Sequence, residues 1–217
     1  MEAILSPLYL TLKISTIATF FAFILGILFS WWFAFNKNRL TDLLSILVTI
    51  PLVIPPTVLG YYLLVVLGRG SFIGQMFETL FGGPLIFTWK AAVIAATVAA
   101  LPLLIRPIQA AFESISTDVL GAAELDGANK LQLLLFIVIP LAYKGVLAGL
   151  VLGFARAMGE FGATLMVSGN IPGKTQTLSI AIYDAVQANR MDDANLMVLI
   201  LSVTTVLFLY MIHRWFR

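Results

Sequence analysis

Leu8 to Phe35 reads LYLTLKISTIATFFAFILGILFSWWFAF, an apolar run that holds one charge, Lys13, and closes in the aromatic cluster Trp31, Trp32 and Phe33. A helix needs about 20 apolar residues to cross a hydrocarbon core about 30 Å thick. In hydrocarbon only helices and closed barrels satisfy their own backbone groups. The run therefore reads as a membrane-crossing helix, with tryptophan at the interface before the polar turn Asn36, Lys37, Asn38, Arg39. Met1 to Pro7 lacks the basic start of a signal peptide, and the apolar stretch is too long and has no small-residue cleavage pattern, so this is expected to be a retained first span.

The rest of the chain agrees. Of its 217 residues 60% are hydrophobic and only 11% charged, and the mean hydropathy is +1.00, whereas a soluble domain carries about 25% charged residues. Further spans are expected at about Leu43 to Leu67, Leu85 to Ile105, Leu133 to Met158 and Ala194 to Ile212. The second holds Pro51, Pro55 and Pro56, which remove backbone donors and should kink or break it. Gly68 to Pro84 reads as a glycine-rich loop, and Arg106 to Lys130 as polar, short amphipathic helices outside the bilayer. Gly159 to Ser168 either prolongs the fourth helix or turns back, and Leu178 to Ala188 is too brief to span. The expected fold is all-α and polytopic, a single domain over residues 1–217 with five spans, or six if the region from Gly159 to Ala188 re-enters.

Several chemistries are disfavoured. There is no cysteine, and His213 is the one histidine, which leaves neither a thiolate site nor the imidazole that a zinc centre or a Ser/His/Asp relay requires. No catalytic, cofactor or metal residue is assigned. Gly173, Lys174 and Thr175 match the end of a phosphate-binding loop, but its first glycine would fall on Ser168, Pro172 removes a donor and no strand precedes, so a Gly/Pro turn outside the membrane is expected instead. The net charge of +2 is judged by its distribution rather than as a sign of nucleic acid. Lys37, Arg39, Arg106, Lys130, Lys144, Arg214 and Arg217 fall on one side, and Arg69, Lys90, Lys174 and Arg190 on the other. The richer side is expected to be cytoplasmic, with the C-terminus there. Lys13, inside the first span, is either a snorkelling residue or a partner for a backbone carbonyl and is given no function.

Two constellations carry more. Gly121, Ala122, Ala123, Glu124, Leu125, Asp126, Gly127 and Ala128 are followed by Ile137, Ile139 and Pro140. The spacing resembles the signature of ABC importer permeases, Glu-Ala-Ala, three residues, Gly, nine residues, Ile-x-Leu-Pro. Gly121 stands where that family has Glu, and Ile139 where it has Leu. The resemblance implies a type I importer permease fold and makes the segment at about 112–131 the coupling helix. Ala122, Ala123, Glu124, Asp126, Gly127 and Ala128 would then dock on an ATPase subunit.

The second constellation runs from Phe154 to Thr164. Arg156 and Glu160 stand four apart, one helical turn, and can pair where a lone charge would cost about 2.5–3.5 kcal/mol. Their pairing is either structural or sits beside an anion pathway. Ala155, Arg156, Gly159, Glu160, Phe161, Gly162 and Ala163 resemble permeases for tetrahedral oxyanions. Gly169 to Thr177 and Pro55, Pro56, Thr57, Val58, Leu59 and Gly60 resemble the molybdate branch of them.

What this resemblance implies is a molybdate importer permease in the cytoplasmic (inner) cell membrane, working as a homodimer with two ATPase subunits and an extracytoplasmic molybdate-binding protein. ATP would be hydrolysed on the partner subunits, and the chain would contact membrane lipid but no nucleic acid. Pathway or gate candidates are Pro55, Pro56, Thr57, Arg156, Glu160, Phe161, Gly162 and Thr164. Candidates for contact with the binding protein are Gly169, Asn170, Lys174 and Gln176. A tungstate or sulfate permease is the alternative within the family. An ion-coupled carrier would usually show more intramembrane carboxylates than Glu160 alone, and an intramembrane hydrolase lacks a nucleophile-activating histidine.

Overall fold

A computed structural model describes the protein from Glu2 to Trp215; Met1, Phe216 and Arg217, the last counted above among the cationic-side residues, lie outside the described residues. The described residues are helical, without a strand. Three helices are long and apolar enough to cross a membrane: α1 (Glu2–Phe35), α5 (Trp89–Glu113) and α12 (Met191–Trp215). The count reaches five if each of two bent helix pairs forms one span.

The core is built where α1, α5 and α9 (Tyr143–Met158) press together through small side chains. Ala18 and Ala22 of α1 face Ala92, Ala96 and Ala100 of α5, all fully buried. Without a hydrophobic gradient between lipid and protein, such helices associate through close packing and interhelical hydrogen bonds. Thr97 Oγ1 donates to Ala18 O at 3.3 Å and Ser30 Oγ to Ile105 O at 3.1 Å. On α9, Gly145, Gly149 and Gly153 lie one turn apart along α5, and a Cβ on Gly149 would stand 2.6 Å from Leu104 O.

The second expected span is broken rather than kinked. α2 (Arg39–Val53) and α3 (Pro56–Leu67) diverge by 118°. A residue before proline is pushed out of the helical region, and here two follow one another: Ile54 (ψ 148°) precedes Pro55, and Pro55 (ψ 138°) precedes Pro56. The fourth expected span also fails to form one straight helix. α7 (Lys130–Gln132), a π segment (Leu133–Val138) and α8 (Ile139–Leu141) lead to an 83° bend before α9. Pro140 has no N–H for Phe136 O and its ring crowds that carbonyl. The wider π turn accommodates it, with Ile139 N–H reaching back to Leu134 O.

Other boundaries differ from the sequence reading as well. The supposed loop from Gly68 to Pro84 contains α4 (Phe72–Phe81), started by Ser71, whose Oγ accepts from Gly74 N at 2.9 Å, and stopped by Gly82 at φ +72°. The third helix runs eight residues into the stretch read as a polar segment and ends at Glu113, with Pro102 and Pro107 inside it. Beyond α6 (Thr117–Leu125), the region from Gly159 to Ala188 forms two short helices, α10 (Gly162–Ser168) and α11 (Leu178–Gln187). α11 is tied to α1 by Leu178 N–H, which donates to Thr11 Oγ1 at 2.7 Å.

Candidate functional site

Two stretches a hundred residues apart in sequence meet where α3 lies against α10. A Cβ on Gly60 would stand 2.9 Å from Ala163 Cα and 2.6 Å from Met166 Cβ, and one on Gly162 would stand 2.8 Å from Pro56 Cβ. The two backbones approach this closely because neither glycine has a side chain. Leu59, Ala163 and Val167 then share a core with Ala91, Ala95 and Ala99 of α5. Pro55, Pro56 and Thr57 remain exposed at the corner before α3, whereas Thr164 is buried.

Glu160 occupies the break between α9 and α10. Its Oε1 accepts from Ala163 N at 2.7 Å, which satisfies one of the donors left open at the start of α10. Its Oε2 lies 2.5 Å from Arg156 Nη1. That oxygen accepts no well-aligned hydrogen bond, so the contact is an ionic one off the N–H axis. The Glu160 side chain is 1% exposed and that of Arg156 23%. The pairing read from the spacing is thus present, with an enclosed anion and a cation whose outer edge reaches the surface. Phe161 packs on Tyr183 of α11, ring centroids 5.2 Å apart.

The coupling candidates form a separate site. α6 has no buried residue. Ser116 caps its start, and its end is a left-handed turn: Ala128 N–H bonds Ala123 O and Gly127 N–H bonds Glu124 O, both at 3.0 Å, with Gly127 at φ +88°. A capping box between Asn129 and Gln132 restarts the chain at once. Nothing lies within 4 Å of a Cβ built on Gly127, so the turn itself, not a neighbour within the chain, requires glycine there. Gly127→Asn is therefore expected to cost less than Gly127→Val, because asparagine tolerates this conformation and a β-branched residue does not. The thermal stability of the purified chain checks the order. Leu125, 91% exposed at the tip of α6, was not singled out from the sequence. An apolar residue between Glu124 and Asp126 was the available signal.

The Gly169–Thr177 loop is the third group. Gly169 (φ +70°) and Gly173 (φ +73°) turn it. Gln176 Nε2 donates to Asn170 Oδ1 at 2.8 Å, and Asn170 Nδ2 donates to Asp184 Oδ1 at 3.2 Å. Gln176 is buried and braces the loop, while Asn170 and Lys174 are exposed.

Residues 14–217 match the family of binding-protein-dependent transport system inner membrane components. The chain belongs to that family. Among relatives of this inner membrane component, the putative molybdenum transport system permease protein YvgM of Bacillus subtilis (strain 168) is 42% identical, with 96% of this chain and 92% of that one covered. The molybdenum transport system permease protein ModB of Escherichia coli (strain K12) is 37% identical over 95% and 90% of the two chains. The fold is shared with a bacterial alginate ABC transporter crystallised with a pentasaccharide-bound periplasmic protein, at a TM-score of 0.78 and 18% identity over 100% of this chain and 79% of that one. The inward-facing MetNI methionine ABC transporter matches at a TM-score of 0.73 and 19% identity over 98% and 94%. The type I permease fold expected from the coupling signature is the fold observed.

Proposed function

We propose that this chain is the membrane-spanning permease subunit of an ATP-binding cassette importer for molybdate. The observation that carries the reading is its identity, at 37–42% over at least 95% of its length, with permeases named for molybdenum transport. It acts as a homodimer with two ATPase subunits, which hydrolyse the ATP, and receives the oxyanion from an extracytoplasmic binding protein. α6, which has no buried residue and is ended by a sharp turn, is the element that docks on the ATPase through Ala122, Ala123, Glu124, Asp126, Gly127 and Ala128. A small helix with free sides suits a groove.

Closure of the ATPases on ATP would move α6 and, through the π segment it packs on, the arm that bends into α9. The α9–α10 corner and the start of α3 then shift together across the two-fold interface. In this mechanism Arg156 offers positive charge to the anion, while Glu160 keeps that charge from holding it too tightly to leave. The exposed Asn170 and Lys174 face the binding protein, with Gly169 and Gln176 shaping their loop.

ATP-dependent uptake of labelled molybdate into proteoliposomes holding the whole complex is expected, with excess unlabelled molybdate, but not sulfate, suppressing it. Uptake without ATP, or sulfate as the better competitor, would overturn the assignment. The proposed orientation places the C-terminus in the cytoplasm. Cysteines introduced singly at Asn38 and Lys174, both exposed, in a chain that has none, are expected to react with impermeant thiol reagents from opposite sides, Asn38 from the cytoplasm.

A further inference from the structure

Three lysines, two of which have no part in the proposed transport cycle, gather at one end of the bundle. A cavity of about 480 Å³ is lined by Lys13 of α1, Lys90 of α5 and Lys174 of the 169–177 loop, with no carboxylate among its lining residues. Lys13 Nζ sits 4.0 Å over the ring of Trp89, and Lys90 Nζ lies 5.0 Å from the Phe81 ring centroid and 5.4 Å from that of Phe77. Among the described residues none of the three lysines forms an ion pair. An ammonium on an aromatic face is attracted by the ring but still presents N–H donors to a further acceptor.

A second cavity, of about 490 Å³, lies beside the first and shares the wall residues Phe77, Trp89 and Lys90 with it. Its walls are apolar. Ile17, Phe21 and Leu25 rise along α1 at one-turn spacing, and Val93 to Leu101 line the facing side of α5. From Trp89 to Leu101 the groove runs along twelve helical residues, about 18 Å. One leaflet of hydrocarbon is about 15 Å deep. A transmembrane helix seated in the groove would need twice that length, whereas a single acyl chain needs no more. Trp89 and Tyr9 at the top are residues that settle at the headgroup level.

We propose that these neighbouring cavities hold one anionic phospholipid, its phosphate between Lys13 and Lys90 and one acyl chain in the groove between α1 and α5. The assignment does not depend on which anion the transporter carries. Charge complementarity selects the headgroup, because a basic residue near a membrane surface attracts an anionic lipid by about fivefold in affinity. The apolar cavity beside the basic one selects a lipid, which has both a charged head and a hydrocarbon tail, over a free oxyanion, which would occupy the basic one alone.

The test is native mass spectrometry of the full-length chain in neutral detergent, titrated with phosphatidylglycerol or phosphatidylcholine of equal acyl length. Wild type is expected to retain phosphatidylglycerol about twentyfold to thirtyfold better, the product of two lysines at about fivefold each. Lys13→Gln with Lys90→Gln is expected to remove that preference, and Lys13→Arg with Lys90→Arg to keep it, which separates loss of charge from loss of fold. Val98→Trp, which blocks the groove, is expected to lower retention of both lipids. Equal retention of the two lipids by wild type, or a preference that survives the double glutamine variant, would overturn the proposal. So would displacement of the lipid by millimolar inorganic phosphate, which marks a free-oxyanion site. Disulfide cross-linking between two copies through a cysteine at Phe21 would overturn it too, by placing a second subunit in the groove.

Discussion

Arg156→Ala is expected to damage assembly more than Glu160→Gln, although the two substitutions break the same ion pair. Removing Arg156 leaves a carboxylate that is 1% exposed without its cation, and an uncompensated charge of that kind costs about 3–5 kcal/mol. Glu160→Gln leaves the cation instead, on a side chain that is 23% exposed and so less enclosed than the carboxylate. The glutamine oxygen still accepts from Ala163 N, so the start of α10 keeps its bond. The loss is then about 1 kcal/mol, the difference between a charged and a neutral acceptor. Combining the two substitutions should cost less than their sum, since neither charge is then left alone. Recovery of monodisperse complex after stepwise heating measures all three. Equal single effects, or additive ones, would show that enclosure of the carboxylate does not set the energetics. If Arg156 also attracts the oxyanion, the double variant assembles and still imports poorly, whereas normal uptake would leave the pair a structural one.

How much of this was legible beforehand follows from what each feature depends on. The apolar runs of α1, α5 and α12 needed no partner to be recognised, because crossing a bilayer sets length and composition together. Arg156 and Glu160 could be paired from their spacing alone. The bond from Ala163 N to Glu160 Oε1 could not, because it exists only after the helix stops at Met158 and restarts at Gly162. Pro55 and Pro56 announced a break in the second span, yet its 118° follows from where α3 finds a surface, namely α10. α4 was missed because the glycines at 68, 70, 82 and 83 flank ten residues that make a helix of their own. Lys13 had no readable role for a related reason. Its neighbour Trp89 arrives with the α1–α5 packing, through residues far apart in sequence.

Gly60→Val is expected to abolish uptake while leaving membrane insertion and ATPase binding in place. The first added carbon would already stand 2.6 Å from Met166 Cβ and 2.9 Å from Ala163 Cα. Met166 Cγ, 2.9 Å away, can swing aside, but Met166 Cβ and Ala163 Cα are fixed by the backbone of α10, so α3 and α10 must part. Overpacking of this kind costs about 1–3 kcal/mol, and here the strain falls on the contact that joins Pro56 and Thr57 to the α9–α10 corner. α6 packs on the π segment, away from the α3–α10 contact, so docking of the ATPase should survive. Met166→Ala added to Gly60→Val removes only the Cγ contact and leaves those to the Cβ of residue 166 and to Ala163 Cα, so only partial rescue is expected. Gly70→Ala is the matched control, since it lies outside α6 and nothing lies within 4 Å of the new methyl. Uptake by Gly60→Val at the rate of the Gly70→Ala control would separate the α3–α10 contact from transport. Loss of ATPase binding in Gly60→Val would instead tie that contact to the fold of the whole subunit.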